Sequence, residues 1–114
     1  IELFKTASEE LMVVLLPVLD DFNRGLTEIK KVKDKELLKG MELINNKLVT
    51  NLTQKGLTKI EVKPAEVFDV ELHEAITQIP APSEDLKGKI IDVIEPGYKL
   101  GDKIIRYPKV VVGQ

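Results

Sequence analysis

The sequence of this 114-residue chain predicts an α+β fold, in which an N-terminal helical hairpin is followed by a small, mainly antiparallel β domain. Up to Gly56, apolar residues recur at intervals of three and four positions, the spacing of an amphipathic helix. Beyond Gly56, prolines and glycines separate short segments in which this spacing is lost. We therefore predict a helical region at residues 1–56 and a β domain at residues 57–114.

The first predicted helix carries an apolar row that runs from Phe4 to Ile29. Pro17 falls within this row. Because a proline removes one intrahelical donor and clashes with the preceding turn, we expect a kink there rather than the end of the helix. Lys30 to Lys35 interrupt the apolar pattern and predict a solvated connector. From this row we assign four residues to a helical bundle, namely Leu11, Leu15, Val18 and Phe22.

The second predicted helix has an apolar face from Leu37 to Leu52, and Gly56 suits the C′ position that ends it. Two helices joined by a short connector cannot bury both of their apolar faces on each other. We therefore predict a homodimer, in which two hairpins form a four-helix bundle about a twofold axis. Packing of the apolar stripe on the C-terminal half of the same chain is the alternative. From this helix we assign Met41, Ile44 and Leu48 to the bundle.

The β domain is predicted to contain five or six short strands. Pro96-Gly97 is expected to form a turn in which the glycine has a positive φ. Leu100 to Lys103 has the length of a tight hairpin connection. The segments predicted to be strands are Ile60–Val62, Ala75–Ile79 (ended by Pro80), Lys89–Glu95, Ile104–Tyr107 and Lys109–Val112.

Composition limits the classes of partner. Nine basic and nine acidic residues precede the end of the helical region, and eight basic and ten acidic residues follow it. Neither half is basic, which argues against nucleic-acid binding. The longest apolar run, Leu11 to Leu19, is too short to cross a bilayer and contains a proline, so no membrane segment is predicted.

The sequence offers little for catalysis or for metal binding. Cysteine is absent and His73 is the single histidine, so we interpret His73 as a structural, hydrogen-bonded residue rather than a ligand or base. Adjacent carboxylates such as Asp20-Asp21 and Glu84-Asp85 lack the facing geometry of a catalytic pair and are interpreted as solvated. No catalytic residue, metal site or cofactor is predicted, and the chain is not expected to be an enzyme.

Two short motifs of the C-terminal half are more informative. Phe68 to Ala75 reads FDVELHEA, and Gly97 to Lys103 reads GYKLGDK and is followed by Arg106. They come after Leu15 to Asp20 (LLPVLD) and Gly40 to Leu43 (GMEL). In this order the four fragments resemble the GrpE family, the nucleotide exchange factors of DnaK-type chaperones. The resemblance covers the chain but not the long N-terminal helix of the family, so we expect a fragment that lacks most of that helix.

The resemblance implies an adenyl-nucleotide exchange factor that acts as a homodimer. Its β domain would open the nucleotide-binding cleft of a DnaK-type chaperone and promote ADP release, in the bacterial cytoplasm or in an organellar matrix. Gly40 matches a glycine that the family has in its bundle region. We explain this glycine by close packing of helices, since a glycine within a helix otherwise costs about 1 kcal/mol relative to alanine. A structural dimerisation or adaptor module, whose β domain binds another protein, is the alternative.

The resemblance further implies that Ile94, Lys103, Arg106 and Val112 contact the chaperone. For Ile94 and Val112 the alternative is a place in the sheet core, and for Lys103 it is a solvated turn. The family usually continues from the arginine with Pro-Ala, whereas Arg106 is followed here by Tyr107-Pro108. This departure leaves the register of the last strand, and the outward face of Val112, undecided by the sequence.

Overall fold

A computed structural model of the chain describes the backbone of residues 2–114 and the side chains from Ala7 onward. Ile1, where the predicted helical region begins, and the side chain of Phe4, where the predicted apolar row begins, lie outside the described residues. The chain divides into two compact units, Ile1–Leu57 and Thr58–Gln114. The first is helical and the second consists mainly of β-strands, so the predicted α+β fold is confirmed.

The helical unit consists of α1 (Glu2–Ile29) and α2 (Lys35–Gln54). Helix α1 continues through Pro17, as expected for a proline that does not end the helix. Helix α2 begins after Asp34, whose Oδ1 accepts a hydrogen bond of 3.0 Å from the backbone N–H of Leu37. Because of this cap, Lys35 belongs to α2 and the connector ends one residue earlier than predicted. Among the described residues, neither helix combines the length and apolar content that a membrane span requires.

Helix α2 ends at the predicted glycine. Lys55 is the C-cap residue, and Gly56 has a φ of 101°, a left-handed conformation that glycine adopts without steric cost. The Gly56 N–H donates to the carbonyl oxygen of Thr53 at 3.0 Å, so one of the last carbonyls of the helix is satisfied. The prediction of Gly56 as the C′ residue is therefore confirmed.

The β unit contains two three-stranded sheets, with the orders β1-β4-β5 and β2-β6-β3. Strand β6 is the centre of the second sheet, where it pairs with β2 in parallel and with β3 in antiparallel orientation. The second sheet is therefore mixed, since β6 runs in the same direction as β2 and opposite to β3. The strands are β1 (Leu57–Lys59), β2 (Glu74–Ile79), β3 (Ile90–Glu95), β4 (Tyr98–Leu100), β5 (Lys103–Arg106) and β6 (Lys109–Gly113).

A buried apolar cluster of the β unit is built on the mixed sheet. Ile90 of β3 and Val110 and Val112 of β6 form a buried cluster, against which the partly buried Val62 and Phe68 pack. Val62 and Phe68 belong to the segment between β1 and β2, so this segment covers the sheet with side chains rather than with a strand. Burial of these aliphatic groups is the main driving force for folding of the unit.

The prediction of a strand at Ile60–Val62 is wrong, since β1 occupies Leu57–Lys59 instead. The Ile60 N–H donates to the carbonyl of Gly97 at 2.9 Å, and pairing goes no further. The apolar alternation that suggested a strand arises because Val62 contacts the core as a loop residue.

The prediction that Gly97 has a positive φ is also wrong, since the glycines in that conformation are Gly56, Gly88 and Gly101. Gly97 is required for a different reason. A Cβ atom built on Gly97 would lie 2.3 Å from Pro108 Cδ and 2.8 Å from the Arg106 carbonyl oxygen. The backbone of Gly97 thus packs directly against the segment that joins β5 to β6.

This close approach predicts that Gly97→Ala destabilises the β unit by roughly 1–3 kcal/mol, because the added methyl group forces backbone to move. Both tyrosines of the chain, Tyr98 and Tyr107, lie in this unit, so urea unfolding followed by tyrosine fluorescence reports on it. Lys99→Ala is the control, since Lys99 is exposed in β4, which follows Gly97, and its truncation should change the unfolding free energy by less than about 0.5 kcal/mol. Equal stability of the two variants would contradict the prediction.

Candidate functional site

The hairpin formed by β4 and β5 presents Lys103 at its tip. Leu100 and Lys103 are paired in register, and Gly101-Asp102 forms the two-residue connection between them. Gly101 has a φ of 60°, as the first central residue of a type II′ hairpin turn requires. The predicted connection is therefore confirmed, and the exposed side chain of Lys103 begins β5 at this tip.

Arg106, at the other end of β5, is engaged within the β unit. Its side chain is 15% exposed. The Nε and Nη2 atoms donate to the carbonyl oxygen of Pro96 at 3.0 and 2.8 Å, and Nη1 lies 2.7 Å from Glu95 Oε1. The guanidinium also lies 5.4 Å from the centroid of the Tyr98 ring, within cation–π range. Arg106 thus ties β5 to the connection between β3 and β4.

Glu95 extends this network to β6. While its Oε1 pairs with Arg106, its Oε2 lies 3.1 Å from Lys109 Nζ. One carboxylate therefore joins the end of β3 to both β5 and β6. Glu95 is an isolated glutamate in the sequence and forms no pattern that predicts this role. Its position directly before Pro96-Gly97 is the one feature of the sequence that could have drawn attention to it.

Ile94 and Val112, the two apolar contact candidates, have different environments. Ile94 of β3 is 55% exposed, whereas Val112 is 5% exposed and belongs to the buried cluster with Ile90 and Val110. Ile94 and Lys103 are thus on the surface of the chain, and Arg106 and Val112 are held inside the β unit. A direct contact through Val112 would require the core of the unit to open.

The register of the last strand is set by Pro108. This residue is fully buried, its ring lies against Gly97, and its carbonyl oxygen accepts a hydrogen bond of 2.9 Å from the Glu74 N–H. Lys109 then pairs with Glu74 of β2 and with Glu95 of β3. The proline, which stands one position later than in the family pattern, therefore directly precedes β6. Tyr107, the residue before the proline, is exposed.

His73 has the structural role that was predicted for it. Its Nδ1 accepts a hydrogen bond of 3.0 Å from the Asp69 N–H, so its proton lies on Nε2. The Nε2 atom, in turn, lies 2.8 Å from Glu66 Oε2 and donates to it. The imidazole is buried and ties the segment before β2 together. Among the described residues, no group of three or more histidine or carboxylate side chains could hold a metal ion.

The helical unit leaves part of its apolar surface uncovered. Leu11, Val18 and Ile44, which the sequence analysis assigned to the bundle, are each exposed by half or more. The other assigned apolar residues, Leu15, Phe22, Met41 and Leu48, are half-buried. The most buried row of α1 instead consists of Met12, Leu16, Leu19 and Leu26, whose helical spacing of four, three and seven could have indicated it.

A groove lies between the two helices of this unit, and its volume is about 330 Å³. A Cβ atom on Gly40 would meet no described atom within 4 Å, and the same is true of Gly25. Packing within one chain therefore does not explain the glycine at position 40. The groove is lined by Val18, Asp21, Phe22, Gly25, Leu26 and Ile29 of α1 and by Met41 of α2.

Comparison with known proteins gives a consistent result. The GrpE family model matches residues 2–114 of the chain. Protein GrpE of Bacteroides thetaiotaomicron is 46% identical over 114 residues, which are 99% of this chain and 58% of the relative. Protein GrpE of Porphyromonas gingivalis is 43% identical over the same shares, and that of Chlorobaculum tepidum is 37% identical over 93% of this chain and 56% of its own. The chain thus spans a little over half the length of these relatives.

The contacts of Arg106 predict that Arg106→Lys destabilises the β unit by about 1–3 kcal/mol. Lysine keeps the charge, but it cannot donate to Pro96 from two nitrogens and also pair with Glu95 in the planar geometry of a guanidinium. Urea unfolding followed by tyrosine fluorescence measures the change. Lys99→Arg, a charge-preserving exchange at an exposed site of β4, is the control and should leave the midpoint unchanged. An equally small effect of Arg106→Lys would contradict a structural role of the guanidinium.

Proposed function

Because the chain belongs to the GrpE family, we propose that it is a co-chaperone that promotes ADP release from a DnaK-type chaperone. The family match along residues 2–114 is the observation that carries this proposal. The chain spans 58% of its relative from Bacteroides thetaiotaomicron, and the activity is proposed for this portion. The helical unit and the β unit receive separate roles, in dimerisation and in contact with the chaperone.

The mechanism is a shift of population in the partner. A protein that binds the open form of a nucleotide cleft more tightly than the closed form must lower the affinity for nucleotide by the same factor. A coupling free energy of about 1–3 kcal/mol corresponds to a change in affinity of about 5- to 150-fold. The chain needs no catalytic group for this task, because binding energy alone opens the cleft.

We assign direct contact to Ile94 and Lys103. Ile94 exposes an aliphatic side chain on β3, which suits the apolar centre of a protein interface. Lys103 is exposed at the hairpin tip, where a cation increases the rate of encounter with an acidic surface. Arg106 supports both, because it joins β5 to the residues that follow Ile94. Val112 supports β3 from within the core.

We further propose that the active form is a homodimer joined through the helical units. The exposed Leu11, Val18 and Ile44 offer apolar surface that a second hairpin would remove from water. The groove between α1 and α2 would receive side chains of that hairpin. Gly40, which has open space in one chain, would then allow close approach of the second copy. Two hairpins related by a twofold axis form a four-helix bundle.

The exchange function predicts faster release of a fluorescent ADP analogue from a DnaK-type chaperone in stopped-flow experiments when the chain is added. Ile94→Ser should weaken binding about tenfold by removing an apolar contact. Lys103→Ala should slow association at low salt, and the difference should shrink as salt is added, because salt screens exposed charges. Lys99→Ala, at an exposed lysine of β4, should behave like the unaltered chain.

The same experiment separates exchange from the adaptor function. Unchanged ADP release, together with no competition between the chain and nucleotide for the chaperone, would overturn the exchange proposal. If such a chain still formed dimers, it would support the structural dimerisation or adaptor module. Normal activity of the Ile94 and Lys103 variants in a chain that accelerates release would instead overturn only the assignment of the contact residues.

The dimer predicts a sedimenting mass of twice 12.8 kDa at micromolar concentration. Ile44→Asp should produce monomers, because a carboxylate would be buried in an apolar interface without a partner. Asn46→Asp is the matched control, since Asn46 is exposed and lies about 200° around α2 from Ile44. A monomeric unaltered chain, or equal dissociation of both variants, would contradict the proposed interface.

A further inference from the structure

One polar atom in the helical unit has no explanation within a single chain. Among the described residues, the Oδ1 of Asn45 is shielded from solvent and has no hydrogen-bond partner. Buried polar side-chain atoms in folded proteins are nearly always hydrogen-bonded, and one without a partner reduces stability. Asn45 is therefore a position at which the isolated hairpin is incomplete.

Asn45 lies in the apolar seam of α2 and not on its polar side. The residues of α2 that are half-buried at intervals of three and four positions are Leu38, Met41, Asn45, Leu48 and Leu52. Four of these five are aliphatic or thioether side chains, so an aliphatic residue at position 45 would continue the seam. An asparagine at this position weakens the apolar packing, which indicates a role other than stability.

We propose that Asn45 forms a hydrogen bond with the second copy of the chain and thereby sets the register of the two hairpins. This inference rests on the proposed dimer of the preceding subsection. Asn45 as a whole is half-buried, so its side chain borders the surface that a second hairpin would cover. A polar group of that hairpin would supply the hydrogen-bond partner that Oδ1 lacks among the described residues of the single chain.

The need for such a residue follows from the composition of the seams. Aliphatic side chains pack against each other in several registers at similar free energy, so a bundle built from them alone is poorly specified. A single polar residue in the seam makes one register favourable, because every other alignment leaves its amide without a partner. Helix α2 has exposed leucine and isoleucine beside the seam, at Leu37 and Ile44, which makes alternative alignments available to it.

The test measures register directly. The chain contains no cysteine, so a single cysteine introduced at the exposed Lys47 can carry a spin label without background. Pulsed electron–electron double resonance then gives the distances between the spin labels on the two copies. The labelled chain with Asn45 intact should give one narrow distance distribution. Asn45→Leu should give several distances, and its midpoint of thermal unfolding should rise by about 5 °C.

Two further variants make the result specific. Asn45→Ala removes the amide without adding volume, and it should also give several distances if Asn45→Leu fails to fold. Asn46→Leu adds the same leucine one position further along, at an exposed site, and should keep the single narrow distribution. A single unchanged distance in the Asn45→Leu and Asn45→Ala dimers would overturn this inference and leave the dimer intact. A monomeric unaltered chain would overturn the dimer and this inference together.

Discussion

The β unit depends on the way in which the Arg106 side chain holds the connection between its two sheets. Pro96 has no N–H to donate and Gly97 has no side chain, so this connection is held mainly by groups that other residues supply. The guanidinium binds the Pro96 carbonyl with two nitrogens and pairs with Glu95, while Pro108 lies directly against Gly97. Charge-assisted hydrogen bonds of this kind are strong and directional. The placement of β4 and β5, and with them of Lys103, follows from this arrangement.

This arrangement separates two roles that the family resemblance had assigned to one group of residues. Ile94 and Lys103 are on the surface and can reach a partner, whereas Arg106 and Val112 are engaged by their own chain. A nucleotide exchange factor of the proposed kind works through binding energy, so its surface must be rigid enough to favour one form of the partner. Under this proposal, Arg106 and Val112 act by keeping that surface rigid.

In the helical unit, by contrast, the described residues of a single chain leave apolar surface uncovered and one polar atom without a hydrogen-bond partner. Leu11, Val18 and Ile44 remain exposed, and Asn45 Oδ1 lacks a hydrogen-bond partner among the described residues. The homodimer that we propose would remedy both deficits. The apolar surface would supply most of the free energy of association, and the polar atom would select among alignments that the apolar surface alone cannot distinguish.

The sequence by itself determined the elements that depend on local physics. Helical spacing, the glycine at position 56 and the connection at Gly101 were predictable, since each reflects a conformational preference of a few neighbouring residues. The tertiary structure alone decided the parallel pairing of β2 with β6, the loop at Ile60–Val62 and the internal engagement of Arg106. These features depend on residues distant in sequence that meet only after folding, and a pattern within one segment contains no information about such partners.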